Sequence, residues 1–161
     1  MDDSSLELSL AGDDVPEALA VMHRAFAEYS LKGEPAGVLL ETVESLRQEL
    51  ADGRRLAGSR IDGGIVAVAK HYAAPDGSLY FGRLAVLPEA RRRGLAAALV
   101  LALRADAHAR GLRGLSCLVR ASEAGNIAMY ERLGMRVVDR GERRSLTGAV
   151  MAVVHMADAP A

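Results

Sequence analysis

The sequence has one cysteine, no tryptophan, six aromatic residues and two lysines. A lone cysteine cannot close an intramolecular disulfide, and a reducing compartment is the natural reading. No apolar run approaches the ~20 residues of a membrane span. The first residues lack the basic-then-apolar pattern of a secretory signal. A cytoplasmic protein without membrane contact is therefore expected. No cysteine and histidine spacing resembles a structural zinc site, so no metal is expected. Few aromatics, two lysines, a net charge of −1 and no recognised motif speak against nucleic-acid binding. There is neither a repeat nor a low-complexity linker.

What is present suits one folded unit. Half of the 161 residues are apolar and a quarter are charged. At this size roughly 70% of the chain's surface is buried on folding. We expect a single domain over residues 1–161, ordered from about 6 to 156. The near-neutral sum hides a polarity. Residues 1–53 carry twelve acids and three bases, and residues 54–161 nine acids and seventeen bases. One half can attract a cation and the other an anion.

The periodicity alternates between two kinds. Leu6, Leu8 and Leu10 alternate with polar residues, as in a strand. Asp14 followed by Glu17 reads as a capping box with Pro16 in the first turn. Leu19, Met22, Phe26 and Tyr29 then mark a helical face, which the 33–37 stretch breaks. Val43, Leu46 and Leu50 mark a second helix ended by Gly53. Strands are expected over 54–61, 65–72 and 79–87, with turns at Asp62-Gly63-Gly64 and Pro75-Asp76-Gly77. A helix to about Arg110 is apolar nearly all round as far as Leu103, so burial is expected. Then come a strand at 115–119, a helix at 125–133 and closing strands at 135–139 and 149–156. Arg140, Arg143 and Arg144 read as a charged loop. The pattern is mixed α/β.

The informative segment is 84–97. A strand ends at Pro88, Arg91, Arg92 and Arg93 follow, and Gly94, Leu95, Ala96 and Ala97 open a helix. N–H groups at a helix start lack intrahelical partners and, with the helix dipole, attract anions. Small residues there let a phosphate reach the backbone. The competing reading is a solvated arginine run. Neither Gly-Lys-Ser/Thr nor Gly-x-Gly-x-x-Gly is present, so the nucleotide and dinucleotide loops are excluded.

Leu84-Ala85-Val86-x-Pro88-x-x-Arg91-x-x-Gly94-x-Ala96 resembles motif A of the GNAT acyltransferase superfamily. Asn126-Ile127-Ala128-Met129-Tyr130-Glu131-Arg132-Leu133-Gly134-Met135 is similar to its motif B. The resemblance covers about residues 6–156. It implies a three-layer α/β fold: a mostly antiparallel sheet of about seven strands, splayed at a coenzyme A site, with about four flanking helices. It implies an N-acetyltransferase that passes acetyl directly from acetyl-CoA to a primary amine in a ternary complex. The N–H groups of residues 92–97 would cradle the pyrophosphate. The backbone of Leu84, Ala85 and Val86 would pair with the pantetheine arm. The strands at Pro88 and before Gly125 would part to admit it. The Leu84 N–H would face the thioester carbonyl. Tyr130 would protonate the leaving thiolate, since a phenol of pKa ~10 stays protonated at neutral pH. From its residue type alone, Tyr130 would be a core-edge aromatic.

Three positions depart from the family pattern. Glu123 stands where asparagine is usual, and Asn126 would take over a contact to the cofactor. Met135 replaces the closing phenylalanine. The positions of the usual general base hold Gly82 and Tyr80. Glu28, acting through water, is the base first expected, with Glu34 and His71 as alternatives; a surface carboxylate or a solvated histidine is the plain reading of each. Cys117 reads as a small buried hydrophobe, His23 as structural, and His108 as exposed beside an Asp106–Arg110 pair. The acceptor would be a small-molecule or peptide amine. The acidic first half would steer a cationic one, lined by Tyr29, Tyr72 and Tyr80. Arg140, Arg143 and Arg144 could instead hold an acidic substrate group. Relatives often pair through edge strands or helices, so a homodimer is compatible. The alternative function is an acyl-CoA sensor of the same fold that has lost turnover.

Overall fold

In the computed structural model, residues 4–27, 40–144 and 148–159 are described. The element order is β1 (Ser4–Glu7), α1 (Val15–Phe26), α2 (Val43–Ala51), β2 (Arg55–Ile61), β3 (Gly64–Ala73), β4 (Leu79–Val86), α3 (Leu95–Ala109), β5 (Leu115–Arg120), α4 (Ala124–Arg132), β6 (Met135–Arg144) and β7 (Val150–Asp158). Seven strands form one sheet in the order β1-β2-β3-β4-β5-β7-β6. All neighbours are antiparallel except β4 and β5.

Alternation along the strands supplies two apolar faces. On one, Val68 and Ala85 pack under Val15, Met22 and Leu46 of α1 and α2. On the other, Ala69, Phe81 and Cys117 pack under Leu99, Leu103 and Tyr130 of α3 and α4. The helices therefore form two outer layers around the sheet. The β2–β3 hairpin turns at Asp62 and Gly63, both at positive φ (52° and 85°), which is type I′ geometry.

Several local expectations are corrected. Asp14 caps no N–H of α1 with its side chain, because a 3-10 turn at Gly12–Asp14 precedes the helix. Its carboxylate instead pairs with Arg60 at 2.9 Å, and Glu17 accepts from the Ile65 N–H at 2.8 Å. Both acids tie α1 to the hairpin. The reciprocal cap belongs to α2, where Thr42 and Ser45 exchange bonds of 3.0 and 2.9 Å. Leu101 of α3 faces solvent although its helix is apolar on most sides. Arg140, Arg143 and Arg144 are not in a loop: β6 runs on to Arg144, paired with β7. Arg104 of α3 makes a bidentate bond to Asp158 of β7 at 3.0 and 2.6 Å. The same carboxylate accepts from the Leu115 N–H at 2.9 Å. One acid thus fixes α3, β5 and β7 together.

Candidate active site

The parallel pair β4–β5 is the weak seam of the sheet. Only Leu79 and Tyr80 have register partners on β5, namely Leu115 and Ser116. Beyond them the strands part, and β5 pairs instead with β7. The gap is continuous with a cavity of 980 Å³. Its walls include Phe81, Leu84 and Val86 on one side and Cys117, Leu118 and Val119 on the other.

Beside the gap β4 is bulged. Val68 pairs with Ala85 and Lys70 with Gly82, so Arg83 and Leu84 are left without register partners on β3. Arg83 sits at φ 54°. A side chain held in that left-handed region costs roughly 1–3 kcal/mol, and such residues cluster at functional sites. The bulge places Leu84, without a cross-strand register partner, at the lip of the cavity.

At the end of β4, Pro88–Ala90 makes a 3-10 turn and the chain reverses into α3. Arg92 and Gly94 adopt positive φ (68° and 75°), and Gly94 is the N-cap. The first intrahelical bond runs from the Ala98 N–H to the Gly94 oxygen at 3.0 Å. The N–H groups of Leu95, Ala96 and Ala97 therefore have no acceptor within the helix. A Cβ built on Gly94 would meet nothing within 4 Å, so the space over the turn is open. Backbone donors, helix dipole and open space together fit a pyrophosphate. Arg91 and Ala96 line the cavity from this end, and Asn126, Met129 and Tyr130 of α4 line it opposite. Tyr130 is buried, its ring edge-on to Phe81 at 5.6 Å.

The expected site residues thus fall into groups. Leu84, Val86, Arg91, Ala96, Asn126 and Tyr130 share the cavity wall. Gly94, Leu95 and Ala97 lie in the helix start beside it, with Arg92 and Arg93 on its exposed approach. The Ala85 side chain points away, into the core under α1, which leaves only its backbone for a ligand. Glu28, Glu34 and Tyr29 lie outside the described residues. His71 is corrected. It is fully buried rather than solvated, bonded to the Leu8 carbonyl at 2.7 Å, and is not part of the cavity wall. Burial of Cys117 pushes its thiol up to about 12, as suits a small core residue.

The far end of the cavity holds groups that sequence reasoning missed or placed elsewhere. Lys70 of β3 is bonded to both Glu41 and Glu49, the latter at 2.9 Å. Tyr72 and Tyr80, paired across β3 and β4, stand with ring centres 5.2 Å apart. Burial raises the Tyr80 phenol above its usual value, so this residue at a usual base position is no base at neutral pH. Arg54, Arg143 and Arg144 complete that end. Glu41 and Lys70 carry no motif; only the pairing of β3 against α2 brings them together. Among the described residues, no three His, Cys, Asp or Glu side chains gather as metal ligands. No helix among those residues is long and apolar enough to cross a membrane.

The sheet thus parts at a parallel seam next to an open helix start. The chain belongs to the acetyltransferase (GNAT) family, whose model matches residues 20–135. The structure is similar to the ribosomal-protein-S18-alanine N-acetyltransferase of Escherichia coli, with TM-score 0.77 and 24% identity over 96% of this chain and 92% of that one. It is also similar to the ribosomal-protein-alanine N-acetyltransferase of Brucella melitensis, with TM-score 0.78 and 20% identity over 96% and 98% of the two chains. A third similar structure is yncA of Salmonella typhimurium, solved with its cofactor acetyl-CoA. It has TM-score 0.76 and 13% identity over 96% and 92% of the chains. No curated protein sequence matches the chain.

Proposed function

We propose that the protein is an N-acetyltransferase that takes acetyl from acetyl-CoA and passes it directly to a primary amine. The observation that carries this reading is the adjacency of three features at one cavity: the open helix start at Gly94, the β4 bulge at Arg83 and Leu84, and Tyr130 across the gap. The proposal treats residues 1–161 as one catalytic domain acting in the cytoplasm.

The cradle of residues 92–97 binds the pyrophosphate, with Arg91 adding positive charge. The exposed edge of β4 at Leu84, Ala85 and Val86 offers backbone groups to the pantetheine arm, as an added strand would. The thioester supplies an activated acyl carbon. The Leu84 N–H donates to its carbonyl oxygen, which gains charge as the amine attacks. The Tyr130 hydroxyl gives its proton to the departing sulfur. The amine's own proton leaves through water to a carboxylate. Glu28 is the base proposed from the sequence, and Glu49, the more exposed acid bonded to Lys70, is the one the cavity adds. A basic shift of the kcat/KM profile's acidic limb, or its loss, in Glu28→Gln or Glu49→Gln identifies which one acts.

Tyr130→Phe tests the acid role. It should lower kcat by about 10²-fold or more and leave the Kd for acetyl-CoA within about twofold. An unchanged kcat removes Tyr130 from proton transfer. If acetyl-CoA binds but no amine ever raises thiol release above background hydrolysis, the sensor reading replaces the enzyme.

A further inference from the structure

Among the described residues, the far end of the cavity wall carries more cations than acids, against what the acidic first half suggests. Several of those acids are held by other groups. Glu7 and Asp14 both bind Arg60 at 2.9 Å. Glu17 accepts the Ile65 N–H. Glu41 and Glu49 converge on Lys70, and Arg83 approaches Glu41 at 3.9 Å. The two acids of that wall are therefore balanced by two cations already in contact with them.

Arg54 and Arg143 are balanced by nothing comparable. Among the described residues neither has a carboxylate within ion-pair distance. Both line the cavity. The Arg54 guanidinium stands 4.8 Å from the centre of the Tyr72 ring. A cation over a ring face keeps its N–H groups available to a further acceptor. Arg143 reaches in from β6, near enough to Tyr80 to lower that phenol's pKa against the effect of burial. Both arginines thus line the same cavity as the Tyr72–Tyr80 ring pair. Arg144 lines the same end, one N–H bonded to the Gly148 carbonyl at 3.1 Å. A planar, always-charged fork beside an aromatic surface suits a small carboxylate, which it can grip with two parallel bonds.

We propose that the acceptor is a small anionic amine, whose carboxylate is bound by Arg54 and Arg143 over the Tyr72–Tyr80 pair. The inference rests on the acetyl-transfer reading and narrows its substrate class. The arginines are specificity-determining residues: they orient the acceptor so that its amine meets the acyl carbon at the Leu84 bulge. A polyamine would meet like charge at the same place and be disfavoured.

The test uses the full-length protein and matched probes: L-amino acids, L-aspartate and L-glutamate among them, their α-carboxamides, and spermidine. Two readouts are taken. One is thiol release from acetyl-CoA. The other is calorimetric binding of each probe to protein saturated with free coenzyme A, which needs no turnover. Carboxylate-bearing amines should bind about tenfold tighter than their carboxamides. Arg54→Gln and Arg143→Gln should each erase that preference through KM, leaving the KM for acetyl-CoA within about twofold. Because the carboxamide's amine is less basic, the ratio of the two is compared between wild type and variants. Thiol release that ignores the carboxylate, or favours spermidine, overturns the inference and leaves the transfer reading standing. Selective binding of carboxylates without thiol release from any probe overturns the transfer reading and leaves the anion site standing. Neither binding nor release from any probe overturns both.

Discussion

His71 has no exposed surface, and its Nε2–H donates to the Leu8 carbonyl while Nδ1 has no hydrogen-bond partner. Burial lowers its pKa from 6.5, and the Leu8 bond opposes that only in part; Asp106 also raises it, while Arg55 and Arg110 lower it. The folded state therefore binds a proton less readily than the unfolded chain does. The stability this contributes is complete above pH 6.5 and is lost as pH falls from there toward the folded pKa. The melting temperature should drop below pH 6.5 in the wild type. His71→Gln, which keeps a donor for Leu8, should flatten that limb, and an identical pH profile would refute the assignment. Positions were legible where a motif carried them: Gly94 caps α3 and Tyr130 lines the cavity. The surroundings of Arg54, Glu41 and His71 were not legible, and Arg143 was expected in a loop rather than on β6. Each depends on a partner from a distant part of the chain, and nothing in its neighbouring sequence distinguishes it from a surface charge or a solvated imidazole.

At the scale of elements, two glycines separate function from architecture. Gly94 caps α3 at φ 75° with open space beyond its Cα. Gly94→Val should cost only the local strain, about 1–2 kcal/mol, yet weaken acetyl-CoA binding at least about tenfold by filling the anion's place. Unchanged affinity by calorimetry would move the pyrophosphate elsewhere. Gly114 is the opposite case. At φ 113° its Cβ would lie 2.9 Å from the Asp158 Oδ2. That carboxylate is held by Arg104 and by the Leu115 N–H and cannot give way. Gly114→Ala should destabilise by about 2 kcal/mol or more, read as a lower urea midpoint with an unchanged slope. Most strands and all four described helices were readable from period and turn residues. β6 beyond Asp139 was not. Residues 139–144 are all exposed, so they show no apolar alternation, and only the ladder to β7 makes them a strand. The Asp14–Glu17 spacing suggested a cap because the pattern is local, whereas the bonds those acids make are tertiary.

Across the whole molecule, the functional feature is a break in regularity. Of the six neighbour pairs in the sheet, β4–β5 is joined over two residues only, and these strands part after Tyr80. Helix α3 plugs one side of that seam with Leu99 and Leu103 and leaves its N-terminus at the mouth. The sequence showed the parts, a strand, an arginine run and a glycine-opened helix. Neither the bulge at Arg83 nor the set of charged residues lining the cavity could be read from it, since both arise from strand register and packing. Part of the acid-to-base polarity of the two halves is internal pairing, as in Arg60 with Glu7 and Asp14. The most direct test of the account is a calorimetric titration with acetyl-CoA, set beside free coenzyme A and ATP. The account predicts micromolar binding of acetyl-CoA by the wild type, loss of that binding in Gly94→Val, and no heat from ATP. Absence of binding by any of the three, with the protein folded, would contradict the cradle and with it the roles assigned to Leu84 and Tyr130.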